Sequence, residues 1–163
     1  MGVEGRGWGL SVQAYALRSS RDWDIGDFED LARLAEYAAG LDADFIGVSP
    51  MHALFIADSS RISPYSPSSR DFLNPLLIAP DRVPGFASLP ERAELEAELA
   101  ALRATTLIDY PAVHRVKLHA LEVLFAHFVA KADAGAKDAF EAFCRDHGKA
   151  LAGHALFEAL SER

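Results

Sequence analysis

The hydrophobic pattern changes character near the middle of the chain. Over residues 8–17 it alternates: Trp8, Leu10, Val12, Ala14 and Ala16 fall on one side, Ser11, Gln13, Tyr15 and Leu17 on the other. A period of two predicts a strand, and its second face, only partly polar, predicts cover on both sides. Asp27 then stands as an N-cap, with Glu29 and Asp30 in the first turn, where acids complement the helix dipole. Phe28, Leu31, Ala35 and Ala38 share one helical face, and Gly40 ends that helix. The unbroken apolar run Phe45–Val48 predicts a strand buried on both faces. Strand, helix and strand in such close succession predict a βαβ unit with parallel strands.

Residues 51–74 lose all periodicity and form a long loop, a length that in compact domains is usually functional or disordered. Residues 75–79 predict a short strand. From Pro90 onward the pattern is helical. "PERAELEAELAALRA" predicts a helix with Pro90 in its first turn. "IDYPAVHRVKLHALEVLFAHFVAKA" predicts a second, capped by Asp109 with Pro111 in its first turn. Its buried face reads Val113, Lys117, Ala120, Leu121, Leu124, Phe125 and Phe128. Two further helices are expected near 137–146 and 151–161. The N-terminal half is therefore α/β and the C-terminal half a helical group.

Composition narrows the function classes. The chain has 163 residues, half of them hydrophobic and a quarter charged, which is globular and long enough for a real core. A formal charge of −8 argues against nucleic acid, which needs clustered Lys and Arg, and suits a neutral substrate. The single cysteine, Cys144, excludes an internal disulfide and gives no support to a cysteine-based zinc site. Residues 1–17 lack the layout of a signal peptide, and the apolar runs fall short of the ~20 residues a bilayer span requires. A cytoplasmic protein that does not bind membranes is expected.

Several groups invite a chemical reading. His114 with His119, and His147 with His154, are offered as metal ligands only weakly, having no acidic partner at suitable spacing; packing or surface roles are expected. Asp22, Asp24, Asp27, Glu29 and Asp30 form an acidic cluster. It reads either as a carboxylate pair for glycoside chemistry or as helix capping, and capping is favoured because a catalytic pair usually comes from separate strand ends. There is no Gly-rich phosphate loop, HExxH or GxSxG. Ligands of parallel α/β folds bind at the carboxyl ends of strands, where Arg18, Ser19 and the segment 49–52 fall. Beyond them, "SPYSPSSRDFLNPLLIAP" holds four of the eight prolines. An aromatic ring among hydroxyls and prolines suits a sugar: the ring stacks on C–H faces and the rigid loop lowers the ordering cost. Tyr65 packing its own loop explains the same residues, and they alone do not decide.

Taken together, "VQAYALRSSRDWDIGDFEDL", "DFIGVSPMHALF", "SPYSPSSRDFLNPLLI", "LIDYPAVHRVKLHALEVLF" and "FEAFCRDHGKALAGHALFEAL" resemble the 4-α-glucanotransferases, the amylomaltases or disproportionating enzymes of the α-amylase clan. The family pattern Trp-Gly-Ile-Gly-Asp stands here as "WDIGD", with Asp24 for a glycine, and Ser49 stands where an asparagine is frequent. The resemblance implies a partial (β/α)8 barrel over 1–88, carrying the substrate loop, and an inserted helical subdomain over 89–163. It implies transfer of α-1,4-glucan segments between maltooligosaccharides by a retaining double displacement, without metal or organic cofactor. By residue, it implies that Tyr65 stacks on the sugar, that Ser63 and Pro64 hold it there, and that His52 lies near the same site. Family members are about three times longer, and a closed barrel takes ~250 residues. An N-terminal portion is therefore expected, with no catalytic carboxylate of its own, inactive alone, and with open strand edges covered by helices or by self-association. A non-catalytic α-glucan-binding module and a helical protein-interaction module are the alternatives.

Overall fold

The computed structural model describes residues 7–162. Strands β1 (Gly9–Val12) and β2 (Phe45–Val48) pair in parallel, Gly9 opposite Phe45 and Val12 opposite Val48. Helix α1 (Phe28–Ala39) joins them, so the expected βαβ order is present. The start of α1 follows from local chemistry. The Asp27 carboxylate accepts the N–H groups of Glu29 and Asp30 at 3.0 Å each, and the Asp30 carboxylate accepts the Asp27 N–H at 3.3 Å. This reciprocal box satisfies the orphan donors of the first turn and stabilises the helix by about 1 kcal/mol. Gly40 closes the helix as expected.

The first strand is shorter than its alternation suggests. It stops at Val12, and Ala14–Ala16 form a 3-10 turn. The segment around Gly26 presses against this turn: its N–H bonds the Tyr15 carbonyl at 3.1 Å, and a Cβ at Gly26 would lie 2.1 Å from the Ala14 oxygen. Nor is β2 buried on both faces. Phe45 is 59% exposed, because among the described residues β1 is its only strand neighbour.

The loop at 51–74 contains a hairpin. Strands β3 (His52–Ala53) and β4 (Ser69–Leu73) pair antiparallel, His52 opposite Leu73 and Ala53 opposite Ser69, with an irregularity between the pairs. Residues 54–68 form the excursion. The strand expected over 75–79 is instead a 3-10 turn, Pro75–Leu77. Pro75 has no N–H for a ladder, and Asn74 Oδ1 accepts the Leu76 N–H at 3.0 Å, which starts a turn rather than a strand.

Three helices complete the chain: α2 (Arg92–Arg103), α3 (Tyr110–Lys131) and α4 (Ala134–Ser161). Pro90 precedes α2 rather than lying in its first turn, and Glu91 occupies the N-cap. For α3 the expected start holds, Asp109 accepting the Ala112 N–H at 3.1 Å. Helix α4 is broken at Gly148 (φ 45°, ψ −125°), giving the two helical segments the sequence suggests.

The main core lies beside the sheet rather than under it. Trp23 and Ile25 from the segment after β1 meet Phe86 and Leu89, then Leu95, Leu99 and Leu102 of α2 and Val113, Val116, Ala120 and Leu124 of α3. The Trp23 and Phe86 rings meet edge to face at 5.9 Å. Each fully buried side chain of this size contributes about 1.5–3 kcal/mol. Phe125, expected on the buried face of α3, is instead half out and packs on Phe128 and on Phe140 of α4. Among the described residues the architecture is mixed α/β, mostly helical, with two small sheets.

Candidate functional site

An open cleft of about 740 Å³ lies at the carboxyl ends of β1 and β2. Ser11 and Gln13 come from the polar side of the β1 alternation, and Gly47, opposite Ser11, lines the same cleft. Ser49, Pro50 and Tyr65 complete the part used here. Ser49 fastens the strand ends: its N–H bonds the Val12 carbonyl at 3.0 Å and its hydroxyl accepts the Ala14 N–H at 3.3 Å.

Tyr65 stands at the cleft, 66% exposed. It occupies the third position of a turn in which the Ser66 N–H bonds the Ser63 carbonyl at 3.1 Å. Pro64 fills the second position, where its fixed φ suits the turn. Ser63 and Pro64 form the first two positions of this turn and do not line the cleft. His52 is half-buried in β3 and does not line it either. None of the lining residues is Asp or Glu. The cleft offers an aromatic face, hydroxyls and an amide, a set suited to binding a neutral polyol and without a carboxylate.

The acidic cluster lies elsewhere and is organised around Arg21. The guanidinium forks Asp27 at 2.8 and 3.0 Å and Asp81 at 2.6 and 3.0 Å, and reaches Asp30 at 2.9 Å. Asp81 also accepts the Trp23 indole N–H at 3.3 Å. Burial works against the Arg21 charge, but the bonds to Asp81 and Asp27 outweigh it and raise the pKa. Capping and charge pairing account for these carboxylates, as the sequence favours. His154 packs flat on Phe72, and His147 packs on Phe143. The sequence alone did not reveal Arg21 as the hub, because Asp81 lies 60 residues away.

Asp24 has φ +59°, in the left-handed region. That region costs a side chain about 1–2 kcal/mol, less for Asp, and nothing for glycine. The family pattern with glycine here follows directly. Asp24 compensates by accepting Arg18 at 2.6 Å. Both Asp24→Ala and Asp24→Gly lose this bond, but only glycine relaxes the backbone. The glycine variant is expected to be more stable than the alanine variant by about 1 kcal/mol in urea unfolding; equal midpoints would show that the backbone is not strained.

Comparison with known proteins adds the following. The chain is 42% identical over 127 residues to a 4-alpha-glucanotransferase of Haemophilus influenzae, covering 74% of this chain and 18% of that protein. It is 34% identical over 168 residues to one of Mycobacterium tuberculosis, covering 96% of this chain and 23% of that protein. The crystal structure of amylomaltase from Corynebacterium glutamicum superposes with a TM-score of 0.75 at 31% identity, covering 90% of this chain and 21% of that one. The chain thus spans about a fifth of the length of these relatives. Residues 12–163 match the family described as 4-alpha-glucanotransferase, glycoside hydrolase family 77, and the chain belongs to that family.

Proposed function

We propose that this chain is the N-terminal part of a cytoplasmic 4-α-glucanotransferase that moves α-1,4-glucan segments between maltooligosaccharides. Residues 1–88 supply the first βαβ unit of a (β/α)8 barrel with its sugar loop, and 89–163 an inserted helical subdomain. The observation that carries the reading is the exposed Tyr65 ring at a polar cleft off the ends of two parallel strands, where such folds bind ligands. The ring stacks on the C–H face of a glucosyl unit while Ser11, Gln13 and Ser49 meet its hydroxyls. Retaining transfer requires two carboxyl groups about 5–5.5 Å apart, one nucleophile and one acid/base. The cleft lining has no Asp or Glu. In this reading those groups come from parts of the protein outside these residues, and the chain alone binds but does not cut. The open edges of the β1–β2 sheet pair with further strands or with a second copy.

The same lack of carboxylates in the cleft lining favours one second reading, a glucan-binding module without catalysis. An assay of the longer protein on maltotriose separates the two. Transfer yields glucose and longer maltodextrins, whereas a binding module yields neither. In the active protein, Tyr65→Ala is expected to lower kcat/KM by about 10- to 100-fold, the scale of about 1.4–2.8 kcal/mol. Unchanged kinetics would remove Tyr65 from the site.

A further inference from the structure

The loop carrying Tyr65 leaves β3 at Leu54 and returns at Ser68. Its two stems are gripped by one face of α4, beyond the break at Gly148. Glu158 Oε2 accepts the Ile56 N–H at 3.3 Å, and Glu158 Oε1 accepts the Ser68 hydroxyl at 3.4 Å. One carboxylate therefore binds one stem and borders the other. The single Ser68 hydroxyl proton is shared with the nearer carbonyls of Ala53 and Leu54, at 3.2 and 3.0 Å, which tie the two stems to each other. One turn earlier, His154 stacks on Phe72 of β4 with centroids 4.4 Å apart and planes 3° apart, its Nδ1 3.9 Å from Glu158. Phe157 meets Phe55 edge to face at 6.4 Å. Positions 154, 157 and 158 are spaced i, i+3 and i+4, so all three share one helix face.

The break at Gly148 gives this segment its own direction. At φ 45° and ψ −125° the backbone is open to glycine, yet a Cβ there would meet nothing within 4 Å. Conformation rather than space requires the glycine. Tyr110 and His114 of α3 line one small cavity together with Phe55 and Ile56 at the loop base.

We infer that Glu158 is a positioning residue for Tyr65, and that the helical segment after Gly148 is a strap that fixes the sugar loop before substrate arrives. This rests on the reading of Tyr65 as a glucan platform. A loop of this length is costly to order on binding, and one already held spares that cost. Glu158→Ala removes the acceptor of the Ile56 N–H and the carboxylate beside Ser68. Glu158→Gln keeps an acceptor oxygen for Ile56.

The test uses the 163-residue chain. Amide hydrogen exchange over 54–68 is followed in the wild type, Glu158→Ala, Glu158→Gln and Gly148→Val, alongside titration with maltoheptaose. Exchange in Glu158→Ala and Gly148→Val is expected to quicken by about tenfold across the loop, with α2 and α3 unchanged and the Gln variant close to wild type. Maltoheptaose affinity is expected to fall about 5- to 10-fold in Glu158→Ala and to recover in Glu158→Gln. Loop exchange that is unchanged in Glu158→Ala, or as fast in Gln as in Ala, overturns the clamp. If exchange responds as stated but the wild type binds no maltoheptaose, the glucan reading fails while the clamp stands.

Discussion

Arg21→Ala is expected to lower stability by about 3–5 kcal/mol, the scale measured when one partner is removed from a buried charge network. The guanidinium is the hub that ties Asp27, Asp30 and Asp81 together. Without it, Asp27 and Asp30 at the start of α1 lose their guanidinium partner, and Asp81 loses its fork. Trp23 is fully buried and bonded to Asp81, so its fluorescence reports the loss directly. Arg21→Lys is expected to fall between, because an ammonium cannot fork two carboxylates at once. The pH dependence has a definite sign. Burial works against the Asp81 charge, but the bonds to Arg21 outweigh it and hold its pKa below the usual carboxylate range. A carboxyl group lowered on folding stabilises the fold above its unfolded pKa, and that contribution is lost as pH falls through the folded pKa. Wild type therefore loses this stability in acid, and Arg21→Ala has less of it to lose. An unfolding free energy for Arg21→Ala within about 0.5 kcal/mol of wild type would show that the Arg21 network adds little to what the other contacts of the segment 18–27 supply.

This network marks where the sequence stops being readable. Asp27 as a cap, Asp109 as a cap and Gly40 as an end were legible because each acts within four residues of itself. The βαβ order was legible because each element carries its own period. The Arg21–Asp81 pair spans 60 residues, and nothing local at either position announces the other. The same holds for the early end of β1, which is set by the approach of Gly26, and for the grip of Glu158 on Ile56, 102 residues apart. At the site, Ser11 and Gln13 were visible as the polar side of an alternation. Tyr65 was visible as an aromatic among prolines. That they meet at one cleft required the strand register. His52, just past the end of β2, lies in the β3 hairpin strand and outside the cleft lining, a placement that the chain order alone does not give.

Lys117→Met is expected to stabilise the chain at pH 7, although it removes a cation from an acidic neighbourhood. Lys117 sits on α3 among Val113, Val116 and Ala120, fully buried, its Nζ without a hydrogen-bond partner among the described residues. Burial pushes its pKa down to about 8, against the attraction of Asp27, Asp30 and Asp81 and with the repulsion of Arg21. An unfolded lysine titrates near ~10.4. Between these values the unfolded chain binds the proton and the folded chain does not, so stability rises with pH from about 8 to about 10.4. Below that window both states are charged and the full cost remains, about 3 kcal/mol at 1.36 kcal/mol per unit. Methionine has a similar length and no charge, and well-packed apolar replacements of buried ions are neutral or stabilising by about 1–4 kcal/mol. Urea unfolding followed by Trp23 fluorescence at pH 7, 8.5 and 10 should therefore show Lys117→Met ahead by about 3 kcal/mol at pH 7, with the gap closing as the wild type gains stability in alkali. A variant less stable than wild type at pH 7 would reverse the balance: the attraction of the three carboxylates, and not the cost of burial, would then be the larger effect on α3.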